Sequence, residues 1–209
     1  MRINKKIFAI LLVAILANSF FALNVFSSEK QPEAVAVVEG LHDLLIKSMK
    51  SGHTTTCKER YELLYKYIKD NFDFSTIARL VLGRNKWSNM TKEEKSDFIN
   101  AFIEMTVSTY ASRFDSFSGE KFKITGFNKS KRGHLIVSAV LIKKDKEEIE
   151  FKYILRKTDG KWKIVSVSAK GVNDLSVKRA DYKAFLKEHS IKELIKKIRE
   201  KALICLDEK

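Results

Sequence analysis

At 209 residues, with 44% hydrophobic and 32% charged side chains and a formal net charge of +14, the chain is long enough for one ordinary domain with a real core and too short for a multidomain machine. One proline and eight glycines exclude collagen-like and Pro/Gly-rich disordered classes, and the supply of Phe, Ile, Leu and Val excludes intrinsic disorder. Two cysteines far apart in sequence, Cys57 and Cys205, exclude a disulfide-dense scaffold and a CxxC redox or zinc pattern.

At the N-terminus, Arg2, Lys5 and Lys6 precede residues 7–26, an apolar run broken only by Asn18, Ser19 and Asn24. That is the order of a secretory signal. Cleavage after Ser27 is expected in preference to cleavage after Ser19, because the earlier cut leaves Phe20, Phe21 and Phe26 on an exposed tail. Residues 28–209 then form a single domain in the periplasm. The alternative is an uncleaved anchor, since about 20 apolar residues just span a bilayer. No cysteine directly follows the apolar run, which argues against a lipoprotein.

Removing residues 1–27 deletes three Lys/Arg and no Asp/Glu, so the excess falls from +14 to +11. Export takes cytoplasmic nucleic acid away as a partner and makes acidic lipid the natural one, with transient membrane-surface contact as the expectation. A well-solvated basic surface is the alternative reading.

No internal repeat or Pro/Gly/Ser-rich linker interrupts the mature chain. Val38, Leu41, Leu45 and Met49 recur at helical spacing, Ser51-Gly52-His53-Thr54 breaks it, and Tyr61, Leu64, Tyr65 and Ile68 resume it. Asp73 stands at an N-cap position before a short stripe of Phe74, Ile77, Ala78 and Val81, which Gly83 ends. Thr91 and Glu94 form a capping box opening a long helix to about Phe114. Its apolar arc, including Phe98, Phe102, Met105, Ile103, Val107, Tyr110 and Phe114, is far wider than the roughly 100° a surface helix needs. The helix must be covered from two directions or line an interior space.

After Gly119 the period becomes strand-like, with candidate strands over 121–127, 134–143, 148–157 and 161–169. Asp159-Gly160 joins the last two as a hairpin. Phe151, Tyr153 and Leu155 alternate with Lys152 and Arg156, so one face is packed and one is wetter. Two helices close the chain, the second behind a Ser190/Glu193 capping box. The fold class is α+β: a curved four-stranded antiparallel sheet with helices on one face, enclosing an apolar cavity.

Catalytic signatures are missing. His42, His53, His134 and His189 show no metal-ligand spacing and read as surface or loop residues, so no metal site and no cofactor are expected. No nucleophile elbow, Walker loop or dinucleotide fingerprint occurs. Asp73, Asp115 and Asp181 sit beside caps or in charged helices, where solvation outweighs catalysis. Cys57 and Cys205 can form one bridge only if their Cα atoms approach to disulfide range, which sequence does not decide.

Phe72-Asp73-Phe74, Ala78-Arg79, Val81-Leu82-Gly83, Trp87, Phe98, Phe102 and Tyr110, followed by Gly119, Tyr153, Arg156, Trp162, Gly171-Val172 and the closing segment 191–195, together resemble the toluene-tolerance, MlaC-like periplasmic lipid-binding proteins. The segments 109–114, 119–122 and 175–182 look closer to the hopanoid-associated, HpnM-like branch. The resemblance implies a non-enzymatic carrier that holds acyl chains of a phospholipid or hopanoid between sheet and helices. It also implies shuttling between an inner-membrane ABC-transporter complex and an outer-membrane lipoprotein. Ser166, Lys170 and Asn173 depart from the family's Asp, Glu and Ser, which bears on the docking partner.

The candidate lipid-binding residues are Leu82, Trp87, Phe102, Val107, Tyr110, Phe114, Tyr153, Leu155, Val167 and Val172. Lys178, Arg179, Lys192, Lys196 and Arg199 are the candidate docking cations. Two rival classes are a membrane-tethered adapter without ligand, and an acid–base enzyme on a cone-shaped fold with a carboxylate or His deep among the apolar residues.

Overall fold

The computed structural model describes residues 32–206. Residues 1–27, read above as a signal, lie outside the described residues. Among the described residues no helix is long and apolar enough to cross a membrane.

Five helices come first. α1 (Glu33–Ser51) buries Val38, Leu41, Leu45 and Met49 as the spacing predicts, and His42 with them. The chain turns at Gly52, where any Cβ would overlap the backbone carbonyl of Asp115. α2 (Cys57–Asn71) starts on a Thr56/Glu59 capping box. α3 (Phe74–Leu82) is capped by Asp73, whose carboxylate accepts from the Thr76 amide at 2.9 Å. Gly83, at φ +79°, ends α3 and passes the chain into the short α4 (Arg84–Ser88). α5 (Lys92–Arg113) opens on the Thr91/Glu94 box.

The sheet is an antiparallel meander in the order β1 (Lys121–Lys129), β2 (Leu135–Ile142), β3 (Glu148–Thr158), β4 (Lys161–Ala169) and β5 (Val172–Asn173). It has five strands rather than the expected four. The fifth is a two-residue edge strand reached through Lys170-Gly171, both at positive φ, as are Asp159-Gly160 in the preceding hairpin. Two positive φ values in succession make the tight turn that matches strand twist. A lysine there hides the signal that Asp-Gly announces. Irregularities between Ile124 and Gly126 and between Ile154 and Leu155 bend the sheet. The second lets Ile164, Val165 and Ser166 all be buried in succession.

Two helices follow, α6 (Asp174–Phe185) and α7 (Ile191–Leu206), the latter behind the Ser190/Glu193 box. α7 packs along α5, where Ser108 Oγ donates to the Ala202 carbonyl at 3.0 Å. α2 covers a second flank of α5 and α3 a third, which is why α5 is apolar nearly all round. Arg60 is buried and donates to the carbonyls of Ala111 (3.0 Å) and Thr55 (2.6 Å), a cation at the negative end of α5. Cys57 and Cys205 are bridged, with Cα atoms 5.3 Å apart, fastening the start of α2 to the end of α7.

The core is continuous from α1 to α7. α1 lies across the sheet and meets β1, β2 and β4. His42 is therefore buried, which corrects its reading as a surface or loop residue. Its Nε2 is 3.0 Å from the Tyr153 hydroxyl, and its ring stacks on Phe122 with centroids 4.0 Å apart.

Candidate functional site

Beside the region that α1 fills, the sheet face is left open toward α3, α5 and α6. A cavity of about 390 Å³ occupies this space, within the range of small-molecule sites. Phe72, in the link between α2 and α3, and Phe74, the first residue of α3, line it on one side; β3 and β4 supply Phe151, Val165 and Val167; β5 and α6 supply Val172, Leu175 and Val177. Phe72 is anchored by a bridge to Ile164, and the Asp73 amide donates to the Ile164 carbonyl at 2.9 Å. Asp73 itself accepts from Thr158 Oγ1 at 2.9 Å and lies 3.7 Å from Arg156 Nε. Burial pushes its carboxyl up, but the Thr76 and Thr158 hydrogen bonds and the Arg156 charge outweigh that and hold it below the ordinary value.

α5 faces the cavity with Phe102, Thr106, Thr109, Tyr110 and Arg113, spaced i, i+4, i+7, i+8 and i+11. Both threonine hydroxyls are used locally: Thr106 Oγ1 donates to the Phe102 carbonyl and Thr109 Oγ1 to the Met105 carbonyl, each at 2.7 Å. Their methyl groups are what remains for the cavity. Tyr110 stacks on Phe114 with centroids 5.9 Å apart and meets Phe72 edge-on at 6.2 Å. Burial pushes the Tyr110 phenol up, so it stays neutral. The charged groups on the lining are Arg113, Asp174 and Lys178, the last two paired at 2.6 Å.

Of the candidate lipid-binding residues, Phe102, Tyr110, Phe114, Val167 and Val172 line this cavity. Val107, Tyr153 and Leu155 do not: each is at most 1% exposed within the solid core, Val107 on α5 where α2, α3 and α7 surround it and Tyr153 beneath His42 of α1. Leu82 borders a cleft at Gly83 instead. Trp87 is half-buried on α4 with the Lys95 ammonium 5.6 Å from its ring centre. The sequence reading passed over Phe72, Phe74, Thr106, Thr109 and Arg113 as lining groups. On α5 the signal available is the i, i+4, i+7, i+8 spacing of Phe102, Thr106, Thr109 and Tyr110, in which two threonines stand among the aromatics.

A larger groove of about 730 Å³ runs between α5 and α7, but its walls set Glu93, Glu94 and Asp97 against Lys192, Lys196 and Arg199. Arg199 Nη2 is 3.6 Å from Asp97, and Lys196 Nζ is 4.0 Å from Glu200. That groove is ionic and open, a poor place for an acyl chain. Lys178 is at the cavity rim, and Arg179 faces the Gly83 cleft. At two of the positions that depart from the family pattern, Ser166 and Asn173 are hydrogen-bonded to each other at 2.8 Å, and Asn173 also caps α6. At the third, Lys170 pairs with Glu147 at 2.9 Å. Among the described residues no group of three or more His, Cys, Asp or Glu side chains is placed to hold a metal ion.

A curved antiparallel sheet and a helical layer around an apolar, aromatic-lined cavity form a small-molecule-binding site. The chain matches the MlaC protein family over residues 39–200 and belongs to that family, whose members are periplasmic lipid-binding proteins. No curated protein sequence matches it. In fold it is similar to a phospholipid-binding protein from Ralstonia solanacearum solved in complex with a phospholipid, with a TM-score of 0.72 and 16% identity over 84% of this chain and 100% of that one.

Proposed function

We propose that this protein is a periplasmic carrier that holds the acyl chains of a phospholipid in the cavity between α5, the α2–α3 link, α6 and the β3–β4 face. The observation that carries the reading is the lining itself: an aromatic and aliphatic interior with charges confined to Arg113, Asp174 and Lys178. Each methylene taken out of water is worth about 0.8 kcal/mol, so an apolar sleeve removes most of what keeps a long chain from crossing an aqueous space. Charged groups at the rim suit a charged headgroup better than a neutral hopanoid. No covalent step is involved: the carboxylate on the cavity wall, Asp174, is paired with Lys178. His42, the buried imidazole, is held by Tyr153 away from the lining. Export through a signal ending at Ser27 places the carrier between an inner-membrane transporter complex and an outer-membrane lipoprotein, the partners implied by the family resemblance.

Native mass spectrometry of protein purified from its own host tests both parts. The expected species starts at Ser28 and carries one phospholipid; a hopanoid, an empty cavity or a chain starting at Met1 counts against it. In Thr106→Trp and Val167→Trp variants the indole fills the cavity from α5 or β4, and bound lipid is expected to fall below the wild-type content with far-UV circular dichroism unchanged. Full lipid content in both folded variants removes this cavity as the site.

A further inference from the structure

The cations of this protein are unevenly compensated. On the α5–α7 side Arg199 and Lys196 face carboxylates, Asp174 holds Lys178, and Glu147 is shared by Lys143 and Lys170. Around Gly83 the pattern differs. Two adjoining clefts of about 490 Å³ each flank the α3–α4 junction, one walled by Arg79, Leu80, Arg84 and Arg179, the other by Arg84, Lys86, Arg179 and Lys183 with Leu82. No carboxylate lines either cleft. Among the described residues none of these five cations has an ion-pair partner within 4.0 Å. The positive φ of Gly83 turns the chain sharply between Arg79 and Arg84. The Arg179 guanidinium comes in from α6, 4.0 Å from where a Gly83 Cβ would be. Three guanidinium forks around one concavity raise a local positive potential, and their planar donor pairs match phosphate oxygens.

A second observation is independent of charge. The large apolar side chains that remain exposed among the described residues are Leu80, Phe127, Val172, Val177 and Leu203. Leu80, Val172 and Val177 belong to α3, β5 and α6, the elements that carry Arg79 and Arg179 or frame the cavity. At 100° per residue α6 presents Arg179 and Lys183 on one flank and Val177 on the other; the first pair borders the clefts and Val177 lines the cavity.

We infer that the corner formed by α3, α4 and α6 is a membrane-docking surface: Arg79, Arg84 and Arg179 receive the phosphates of anionic lipids at a bilayer surface, and the exposed Leu80, on the wall of the same cleft, enters the apolar boundary beside them. Cations with exposed aliphatic side chains are the combination that a bilayer interface rewards. An acidic protein surface answers the arginines but leaves the exposed Leu80 between them without a role. Only the consequence, that docking sets the cavity mouth against the membrane, rests on the carrier reading above.

Co-sedimentation with vesicles of phosphatidylcholine, with and without phosphatidylglycerol, tests the surface. Wild-type protein is expected to bind the anionic vesicles only. Reversing Arg79, Arg84 and Arg179 together to Glu should weaken that binding by more than about tenfold. The charge-matched Lys129→Glu/Lys131→Glu/Arg132→Glu change in the β1–β2 turn should weaken it by less than about threefold. Leu80→Ser should weaken binding with no change of charge. If the triple arginine variant does not fold, Arg179→Gln alone, an exposed position, is expected to lose binding severalfold. Equal losses in the two charge-reversed variants, no binding by wild type, or tighter capture by polyglutamate than by anionic vesicles would overturn the assignment. Lipid content of the same preparations, read by mass spectrometry, should stay at the wild-type level in every variant. An empty wild-type protein that still binds vesicles defeats the carrier reading and leaves the docking surface standing.

Discussion

His42 shows how much one side chain can change its meaning between sequence and fold. It lies four residues after Val38 and three before Leu45, on the stripe that α1 buries, so its position already marked it as interior. The residue type concealed that. With its Nε2 on the Tyr153 hydroxyl and its ring on Phe122, the imidazole is removed from water, and burial lowers its pKa from 6.5 to about 4. A base with a depressed folded-state pKa stays neutral in the native protein while the unfolded chain takes up a proton. The stability it leaves intact at neutral pH is therefore lost progressively as pH falls from 6.5 toward 4. Melting temperature measured across that window should fall in the wild type and fall less in His42→Gln, which keeps a hydrogen-bonding group without the titration. Equal slopes in the two proteins would show that another group governs the acid response. Asp73 acts lower on the scale: its depressed carboxyl contributes stability above the ordinary carboxylate value of 3.8, and that contribution disappears as pH drops through the folded-state value.

At the level of elements, the helices and strands were legible wherever local chemistry and periodicity agreed. The capping boxes at Thr91/Glu94 and Ser190/Glu193 and the Asp73 cap each place a helix start within its own sequence. The fifth strand was not legible, because it is two residues long and its turn is Lys170-Gly171. Of the residues of α5 and its C-cap that read as lining, Phe102, Tyr110 and Phe114 border the cavity and Val107 does not. Thr106 and Thr109 carry no apolar signal in the sequence, and their hydroxyls are bonded to their own helix backbone, while Val107, which reads as lining, is buried in the core. Tyr153 and Leu155 are inward-facing as expected, but which helix covers them is decided by long-range packing of α1. The pairing of Cys57 with Cys205 was equally undecidable locally, since it closes 148 residues of chain. Its removal by Cys57→Ala/Cys205→Ala should lower the free energy of unfolding by about 2–5 kcal/mol. The measurement is a shift of the urea midpoint to lower concentration. A midpoint that does not move shows that α2 and α7 are held by their packing on α5 alone.

For the molecule as a whole, an excess of +14 is less informative than where the excess lies. The strip of Lys192, Lys196 and Arg199 was expected to orient the carrier on an anionic surface, and the residues are indeed exposed. Across the groove, however, stand Glu93, Glu94 and Asp97 at the N-terminal end of α5, with Arg199 already 3.6 Å from Asp97. Acidic groups there also favour the α5 dipole, so this strip is a partner of α5 as well as a solvated face. Fields from exposed charges fade over about 8 Å at physiological salt, and cations beside carboxylates present little net potential to a membrane. Charge reversal in a Lys192→Glu/Lys196→Glu/Arg199→Glu variant should therefore lower the melting temperature at low salt, by setting like charges across the groove, and added salt should recover much of the loss. Its lipid transfer to anionic vesicles should slow less than that of the variant reversed at Arg79, Arg84 and Arg179, although both change the net charge equally. Transfer rates measured on the two proteins at one ionic strength decide the matter. If the α7 variant is the slower, α7 rather than the α3–α4–α6 corner meets the membrane; if the two are equally slow, net charge alone governs the encounter.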